Sequence, residues 1–329
     1  MIRPRRNRKN PALRSLVRET LVTPSDLVYP LFVHDGETDE EIESMPGCVR
    51  WSMKGLIKEA KEAHGLGIPA VVLFPAISPE LKTPGAEECH NSEGLIPRLI
   101  RALKTEIPTL QVVTDVALDP YNSEGHDGLV VTKPDGELEI LNDETVEVLC
   151  KQALCHAKAG ADIVAPSDMM DGRVEAIRDT LDTGGYESVS IMSYTAKYAS
   201  AYYGPFRGAL DSAPKAGDKK TYQMEPENRR EALRELELDE VEGADFVMVK
   251  PAGPYLDIIS LIRDNTALPV AAYQVSGEYL MIKAGASGGW IDEKKVVMES
   301  FIGIKRAGAD IILTYFAKEY AKWFRIESV

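Results

Sequence analysis

The sequence is poor in several features that mark whole classes of protein. Its longest apolar runs, such as residues 70–75 and 310–316, are far shorter than the roughly 20 residues that a membrane helix needs. Basic residues are in the minority, with 38 Lys and Arg against 52 Asp and Glu, and the net charge is −14. This balance argues against nucleic acid or an anionic membrane surface as the main partner.

Cysteine is equally scarce. The four cysteines show neither a CxxC motif nor another metal-binding spacing, and we interpret them as reduced thiols that are mostly small core residues. Residues 1–11 are basic and no apolar segment follows them, so a secretory signal peptide is not expected. From these absences we expect a cytoplasmic protein, and a hydrophobic fraction of 44% suffices for a large core.

A short phrase recurs along the chain and indicates its architecture. Gly-Ala-Asp begins at Gly160, Gly243 and Gly308, and a looser version begins at Gly67. Each copy ends a stretch with helical periodicity and leads into an apolar run. Glycine suits the C-cap of a helix, and the apolar run suits a strand that is buried on both faces. The repeated unit therefore predicts alternating helices and parallel strands.

The number of these units predicts the fold. Eight apolar runs are expected to be strands, at residues 27–33, 70–75, 110–118, 162–167, 188–195, 245–252, 269–276 and 310–316. Helical patterns fit between them at residues 53–64, 93–104, 144–159, 173–181, 227–241, 254–263, 278–284 with 293–307, and 317–325. We predict an α/β fold, a TIM (β/α)₈ barrel over residues 25–329, behind an extended N-terminal arm of residues 1–24. A doubly wound sheet stays possible, although no GxGxxG motif follows the first strand.

Two long connections interrupt the alternation. Residues 119–142 follow the third predicted strand, and residues 196–225 follow the fifth. Both leave the C-terminal ends of strands, where a barrel carries its active site. Long connections at such positions are usually lids or binding loops. We therefore predict an active-site lid over about residues 197–223.

Two lysines at the ends of neighbouring strands are the clearest chemical signal. Lys250 ends the sixth predicted strand, and Lys197 lies two residues past the fifth. Burial lowers the pKa of a lysine, and two amines at one mouth disfavour each other's protonation. The result is a free amine, which is a nucleophile for a carbonyl group. Snorkelling or salt-bridged side chains are the alternative, and the pattern alone leaves both interpretations open.

Further polar residues follow the same strand ends. Two basic groups in the lid suit a substrate carboxylate, and a Ser–Tyr pair after the seventh and eighth strands suits another. Carboxyl groups on the third and fourth strands can act as general bases, steer the amines or form structural salt bridges. These candidates are Arg207, Lys219, Gln223, Ser276, Tyr315, Asp115, Ser167 and Asp168.

Four long motifs around the candidates carry a family resemblance. They are MVKPAGPYLD at 248–257, SYTAKY at 193–198 with GPFR at 204–207, APSDMMDGR at 165–173, and VSGE at 275–278. Together they resemble the porphobilinogen synthase (5-aminolaevulinate dehydratase) family, and the first resembles its Schiff-base signature. The resemblance covers nearly the whole chain, and the order of the motifs makes a chance match very improbable.

The resemblance implies an activity and a set of site residues. The activity is that of a lyase of tetrapyrrole biosynthesis, which condenses two 5-aminolaevulinate molecules to porphobilinogen through Schiff bases on Lys250 and Lys197. The other implied residues are Ser276 and Tyr315 for the carboxylate of the first substrate; Arg207, Lys219 and Gln223 for that of the second; Tyr203, Phe206 and Tyr273 for the pocket walls; and Asp115, Asp168 and Ser167 for catalysis.

The expected metal sites depart from those of zinc-dependent family members. Such members carry three cysteines after the third strand, where this chain has Ala117, Asp119 and Asp127. Oxygen ligands favour Mg²⁺, so we expect no zinc and no organic cofactor. Asp119 and Asp127 either bind an ion or are solvated loop carboxylates. The resemblance also implies an allosteric Mg²⁺ at Glu231, which by sequence alone is an ordinary acidic residue in the first turns of a helix.

The basic N-terminal segment has two interpretations on charge alone, a frayed terminus or an arm that docks on an acidic neighbour. The resemblance favours the arm and implies a homo-octamer. Two other functions compete with the synthase: a class I aldolase, which normally needs one Schiff-base lysine, and a catalytically silent scaffold. The pair of Lys197 and Lys250 argues against the aldolase, and the two carboxylate-binding sets argue against the scaffold.

Overall fold

Eight parallel strands form a closed barrel in the computed structural model, which describes residues 1–327. The strands, β1 to β8 in chain order, are Leu27–Val33, Ala70–Pro75, Gln111–Val116, Ile163–Pro166, Ser190–Lys197, Phe246–Lys250, Val270–Gln274 and Ile311–Thr314. Each strand pairs with the next, and β8 pairs back with β1 through Leu27 and Ile312. This closure confirms the predicted (β/α)₈ barrel and excludes the doubly wound sheet.

Helices alternate with the strands and cover the outside of the barrel. The helices, α1 to α11, are Pro11–Leu16, Met53–Gly65, Leu95–Glu106, Asn142–Ala159, Arg173–Thr183, Gly204–Leu210, Glu231–Val241, Leu256–Arg263, Ser276–Ser287, Glu293–Ala307 and Ala317–Glu327. Over residues 1–327, none of them combines the length and the apolar character that a bilayer crossing requires.

The repeated Gly-Ala-Asp phrase ties neighbouring strands together at three joints of the barrel. Its glycine has a positive φ in all three copies and follows the end of a helix. Its aspartate accepts a hydrogen bond from a backbone N–H of the preceding strand, as Asp162 does from Val112 at 2.8 Å. The other two copies make the same bond at 2.7 and 2.9 Å. The phrase thus ends one helix and fixes the start of one strand against the next.

The structure corrects the predicted end of β5 and adds detail to both long connections. β5 continues to Lys197 instead of ending at residue 195, because its register with β6 continues to the pair of Lys197 and Lys250. The first long connection contains a hairpin of Leu129–Thr132 with Leu138–Leu141. The second contains the lid helix α6. Neither the hairpin nor α6 follows from the sequence pattern.

The N-terminal segment lies outside the packed barrel. None of residues 1–21 is buried, and the side chain of Leu16 in α1 is 80% exposed. The packed part of the chain begins at Val22, which is 3% exposed.

Candidate active site

The C-terminal ends of the strands surround a small cavity, at the place where barrels of this kind carry their active sites. It is lined by Phe74, Asp115, Asp119, Asp127, Ser167, Lys197, Tyr203, Phe206, Arg207, Lys219, Gln223 and Lys250. The sequence predicts every one of these residues except Phe74, and it predicts two of them, Asp119 and Asp127, as metal ligands.

The two candidate lysines lie side by side. Lys197 is the last residue of β5 and Lys250 the last residue of β6, and the two are direct partners in the register of these strands. Paired residues of neighbouring parallel strands point to the same side of the sheet. Both side chains are therefore directed into the barrel mouth, and each residue is only 6% exposed.

Lys250 lies in an aromatic cage. Its Nζ is 4.7 Å from the ring centre of Tyr273 and 5.0 to 5.2 Å from those of Tyr194, Tyr203 and Phe206. Among residues 1–327, no oxygen accepts a hydrogen bond from this amine. Burial, and after it the positive charge of Lys197, lowers the pKa of Lys250 to about 7, although nearby carboxylates oppose the shift. Near neutral pH a substantial fraction of Lys250 is therefore the free amine.

The other lysine of the pair is held by hydrogen bonds. Lys197 Nζ donates to Asp127 Oδ2 at 3.1 Å and to the backbone carbonyl of Ser167. Lys250 has neither kind of partner, so the two amines have different environments within one cavity. Two environments are what a reaction between two bound molecules with different roles requires.

Asp127 forms ion pairs with two lysines, Lys197 at the end of β5 and Lys219 in the lid. Its Oδ1 accepts a hydrogen bond from Lys219 Nζ at 2.6 Å, and the same amine reaches Asp119 at 3.4 Å. Burial favours neutral Asp127, but the charges of Lys197 and Lys219 outweigh it and hold the pKa of Asp127 below its usual range. Burial also opposes the charge of Lys219, but Asp119 and Asp127 outweigh it and raise its pKa.

This arrangement does not fit a metal ion at Asp119 and Asp127. Both oxygens of Asp127 already bind ammonium groups, and Asp119 shares one of those groups. A divalent cation would add positive charge where two lysines already lie. The sequence suggested that Asp119 and Asp127 are either metal ligands or solvated loop carboxylates. In the structure they are instead counter-ions of buried lysines.

Glu231 lies away from the cavity, at the first residue of α7. It accepts a hydrogen bond from Asn228 Nδ2 at 2.9 Å and lines an open groove with Glu235 and Arg234. In the part of the chain that the structure describes, no three His, Cys, Asp or Glu side chains gather closely enough to hold a metal ion. Mg²⁺ fits such a site only with one or two carboxylates and several water ligands, a mode that is common for this ion.

Asp115 is the carboxyl group on the cavity wall best suited to proton transfer. Burial, and after it the charge of Asp119, raises the pKa of Asp115 to about 7. Its Oδ1 is buried, with no hydrogen-bond partner among the described residues. A carboxyl group that titrates near neutral pH can both accept and donate a proton.

The predicted catalytic residue Asp168 lies outside the cavity lining. It is fully buried, accepts the backbone N–H of Met170 at 2.7 Å and lies 3.8 Å from the guanidinium of Arg173. Burial raises its pKa to about 6 against the charge of Arg173. Its neighbour Ser167 does line the cavity and provides the carbonyl that binds Lys197.

The residues expected to bind the first substrate's carboxylate lie behind the aromatic cage. Tyr315 shares a hydrogen bond of 3.0 Å with Tyr273, and Ser276 begins α9. The hydroxyl of Ser276 is hydrogen-bonded to the lid, because Ser276 Oγ accepts a hydrogen bond from the backbone N–H of Phe206 at 3.1 Å. None of Ser276, Tyr273 and Tyr315 lines the open cavity in this conformation.

The lid residues form the other side of the cavity. Phe206 packs against Phe74, with ring centres 5.1 Å apart, and Arg207 follows it in α6. The side-chain oxygen of Gln223 is buried with no hydrogen-bond partner among residues 1–327. A guanidinium, an ammonium group and an amide side chain therefore surround one part of the cavity, and their N–H groups suit a carboxylate.

Sequence reasoning missed two members of the aromatic wall. Tyr194 is fully buried beside Lys250, and Phe74 lies on β2 at the cavity. Strand alternation counted back from the strand end does not point to either residue, because Phe74 is one position before Pro75 and Tyr194 is three positions before Lys197. The apolar character of these strands concealed which positions face the site.

Comparison with known proteins agrees with this geometry. The family model described as delta-aminolevulinic acid dehydratase matches residues 1–323. The chain is 60% identical to the chloroplastic delta-aminolevulinic acid dehydratase of Physcomitrium patens over 328 residues, which are 99% of this chain and 75% of that protein. It is 61% identical to that of Pisum sativum over 315 residues, 95% of this chain and 78% of the relative.

A solved structure gives the same result. The crystal structure of delta-aminolevulinic acid dehydratase (porphobilinogen synthase) from Toxoplasma gondii ME49, in complex with the reaction product porphobilinogen, aligns with a TM-score of 0.96 at 57% identity. The alignment covers 98% of this chain and 91% of that chain.

The expected cytoplasmic location is wrong by this comparison, because relatives at about 60% identity are named as chloroplastic. Composition and charge carry no signal that distinguishes these compartments. The family itself is shown by a match over nearly the whole length, and this chain belongs to the delta-aminolevulinic acid dehydratase family.

Proposed function

We propose that this chain joins two molecules of 5-aminolaevulinate into porphobilinogen, through Schiff bases on Lys250 and Lys197. The observation that carries the proposal is the pair of buried amines, partners in strand register, in one cavity at the barrel mouth. A class I aldolase needs only one such amine. The family and the porphobilinogen-bound Toxoplasma gondii relative support this substrate and product.

The chemistry begins at the lysine with the lowered pKa. The free amine of Lys250 adds to the ketone carbon of one substrate, and loss of water from the carbinolamine gives an imine. Protonation of that imine withdraws electrons from the neighbouring carbon atoms. The aromatic cage excludes water, which favours the imine over its hydrolysis.

The second lysine binds the second substrate in the same way. Lys197 lies beside Asp127, and the substrate that it holds extends towards the lid, where Arg207, Lys219 and Gln223 bind its carboxylate. Ser276 and Tyr315 bind the carboxylate of the substrate on Lys250 once the backbone N–H of Phe206 releases Ser276 Oγ. The two substrates then differ in orientation, which an asymmetric condensation requires.

Proton removal falls to Asp115 in this proposal. Asp115 lines the cavity and its pKa of about 7 suits exchange of protons near neutral pH. Asp168 does not line the cavity and has only an indirect role in this proposal. It follows Ser167 in the chain, and its carboxylate lies 3.8 Å from the guanidinium of Arg173. Forming one carbon–carbon and one carbon–nitrogen bond between the two keto-amines, with the loss of two water molecules and final aromatisation, gives the pyrrole.

Trapping with borohydride tests the proposal. We expect 5-aminolaevulinate and borohydride to leave covalent adducts on Lys250 and Lys197, which peptide mass spectrometry locates. Adduct formation on Lys250 should increase about tenfold per pH unit below pH 7 and level off above it, because only the free amine reacts. No adduct on either lysine would eliminate the synthase and the aldolase together.

The second proposal concerns assembly and metal. We propose a homo-octamer built through the arm of residues 1–24, with Mg²⁺ at Glu231 controlling the contact between subunits and no zinc. The exposed apolar residues of the arm and its basic charge support docking on an acidic neighbour. Mg²⁺ at Glu231 would supply positive charge that bridges oxygen ligands.

Gel filtration and metal replacement test assembly and metal together. Deletion of residues 1–20 should convert the large assembly into smaller species; its persistence would refute the role of the arm.

After EDTA treatment, Mg²⁺ but not Zn²⁺ should restore activity, and Glu231→Gln should lose this response. Glu237→Gln on the exposed face of α7 is the matched control and should retain it.

A further inference from the structure

The lid helix α6 is fixed to the barrel at its C-terminal end. The helix carries Phe206 and Arg207 over the cavity and ends at Leu210, followed by the C-cap residue Asp211, whose φ is 50°. The last carbonyl groups of a helix lack partners within the helix and carry partial negative charge. At this end of α6, the cationic side chains of Arg50 and Lys82 bind backbone carbonyl groups.

Arg50 makes most of this contact. Its Nε donates to the carbonyl of Ala209 at 2.6 Å, and its Nη2 donates to that of Gly208 at 2.9 Å. The same Nη2 lies 3.5 Å from the carboxylate of Asp211. One guanidinium thus binds two successive carbonyl groups and the side chain that ends the helix, a planar geometry that lysine cannot reproduce.

Arg50 is itself held by the barrel. It lies in the short strand Val49–Trp51, which pairs with β1 through Phe32. Glu40, in the two-residue strand Glu40–Glu41 that pairs with Val49–Trp51, lies 4.0 Å from the guanidinium. The cation therefore has a fixed position relative to the cavity, and it transmits that position to the lid.

Two further contacts hold α6, one near its start and one just after its end. Ser44 Oγ donates to the carbonyl of Pro205 at 3.2 Å, and Lys82 Nζ donates to that of Asp211 at 2.9 Å. The close approach depends on Gly208, where an added Cβ would lie 3.0 Å from Ser44 Oγ. The chain is thus packed tightly at the point where Arg50 binds.

We infer that Arg50 is a positioning residue, which holds α6 over the cavity so that Arg207 and Phe206 face the substrate on Lys197. This inference rests on the proposed function, since Arg207 is there a ligand of that substrate's carboxylate. Without Arg50 the closed lid is only one of several states. The apparent affinity for the substrate then falls in proportion to the closed fraction.

Steady-state kinetics distinguish positioning from general stability. Arg50→Ala should raise KM for 5-aminolaevulinate about tenfold, the effect of losing charge-assisted hydrogen bonds worth one factor of ten. The value of kcat should change much less, because bound substrate closes the lid at saturation. Arg50→Lys should fall between Arg50→Ala and the unaltered chain, since it keeps the charge but not the two parallel bonds.

Arg98→Ala is the matched control. Arg98 pairs with Asp35 at 2.8 Å and has no contact with the lid among the described residues. Its removal should leave KM unchanged. Limited trypsin digestion without substrate provides a second measurement, in which Arg50→Ala should be cut within residues 201–225 faster than the unaltered chain or Arg98→Ala.

The outcomes separate this inference from the proposed function. An active unaltered enzyme whose KM is not changed by Arg50→Ala or Arg50→Lys would overturn the role of Arg50 alone. A fall in kcat at constant KM would also overturn it, since that pattern indicates a smaller folded fraction. An unaltered chain that makes no porphobilinogen and traps no adduct would instead overturn the proposed function, while the trypsin comparison would still report on the lid.

Discussion

Lys250→Met will reduce porphobilinogen formation by on the order of 10³-fold or more, the loss typical of removing a covalent nucleophile. Methionine has a similar length and suits the aromatic cage of Tyr194, Tyr203, Phe206 and Tyr273, so the barrel should remain folded. What disappears is the only group in the cage that can form an imine. The measurement is the initial rate of product formation at saturating 5-aminolaevulinate.

Borohydride trapping of Lys250→Met gives a second expected result. Borohydride should still reduce an adduct on Lys197, because the substitution leaves this second amine in place in the cavity. Lys283→Met is the matched control, since Lys283 also lies over two aromatic rings but is paired with Glu293 at 2.8 Å. It should retain activity. More than about a tenth of the original rate in Lys250→Met would remove Lys250 from the covalent chemistry.

The barrel could be predicted because its signals are local and repeated. An apolar run that follows a helix and a glycine marks a buried parallel strand wherever it occurs. The prediction that Lys197 and Lys250 share a mouth needed one further step, that neighbouring parallel strands end at the same edge. The prediction placed Lys197 two residues beyond its strand, whereas the register with β6 includes it.

The contacts of the long connections could not be predicted. Asp127 lies 70 residues before Lys197 in the chain and 92 before Lys219, and no local pattern indicates that one carboxylate binds both. Comparison with zinc-binding cysteines instead suggested a metal ligand. Only the folded lid brings the lysines to Asp127, and the same holds for Arg50, whose role depends on where α6 ends.

The prediction for Asp168 shows a different limit. Its position at the end of β4 suggests a residue that faces substrate, but the side chain turns to the backbone N–H of Met170 and towards Arg173. Met169 between them has a φ of 67°, so the chain reverses direction directly after Asp168. A sequence pattern specifies where a strand ends, whereas the direction of the last side chain depends on such a turn.

Asp127→Asn should destabilise the fold more than any other single change to the charged groups of the cavity. Asparagine keeps the shape of the side chain but removes the carboxylate that pairs with buried Lys197, and it leaves buried Lys219 paired with Asp119 alone among the described residues. Removing one partner from a buried ion pair typically costs about 3–5 kcal/mol of the free energy of unfolding. Urea denaturation at a fixed protein concentration measures the loss, and Asp119→Asn, which removes one contact of 3.4 Å, should lose less.

The pH dependence and a double variant identify the cause of that loss. Because the folded pKa of Asp127 is lowered from 3.8, its contribution is complete above the unfolded value and disappears only as pH falls through the folded one. The difference between the unaltered chain and Asp127→Asn should therefore be constant from about pH 5 to 7 and shrink in strong acid. Adding Lys219→Met removes one uncompensated buried cation, so the double variant should regain part of the lost stability. Equal losses in the single and double variants would instead attribute the effect to packing around the loop.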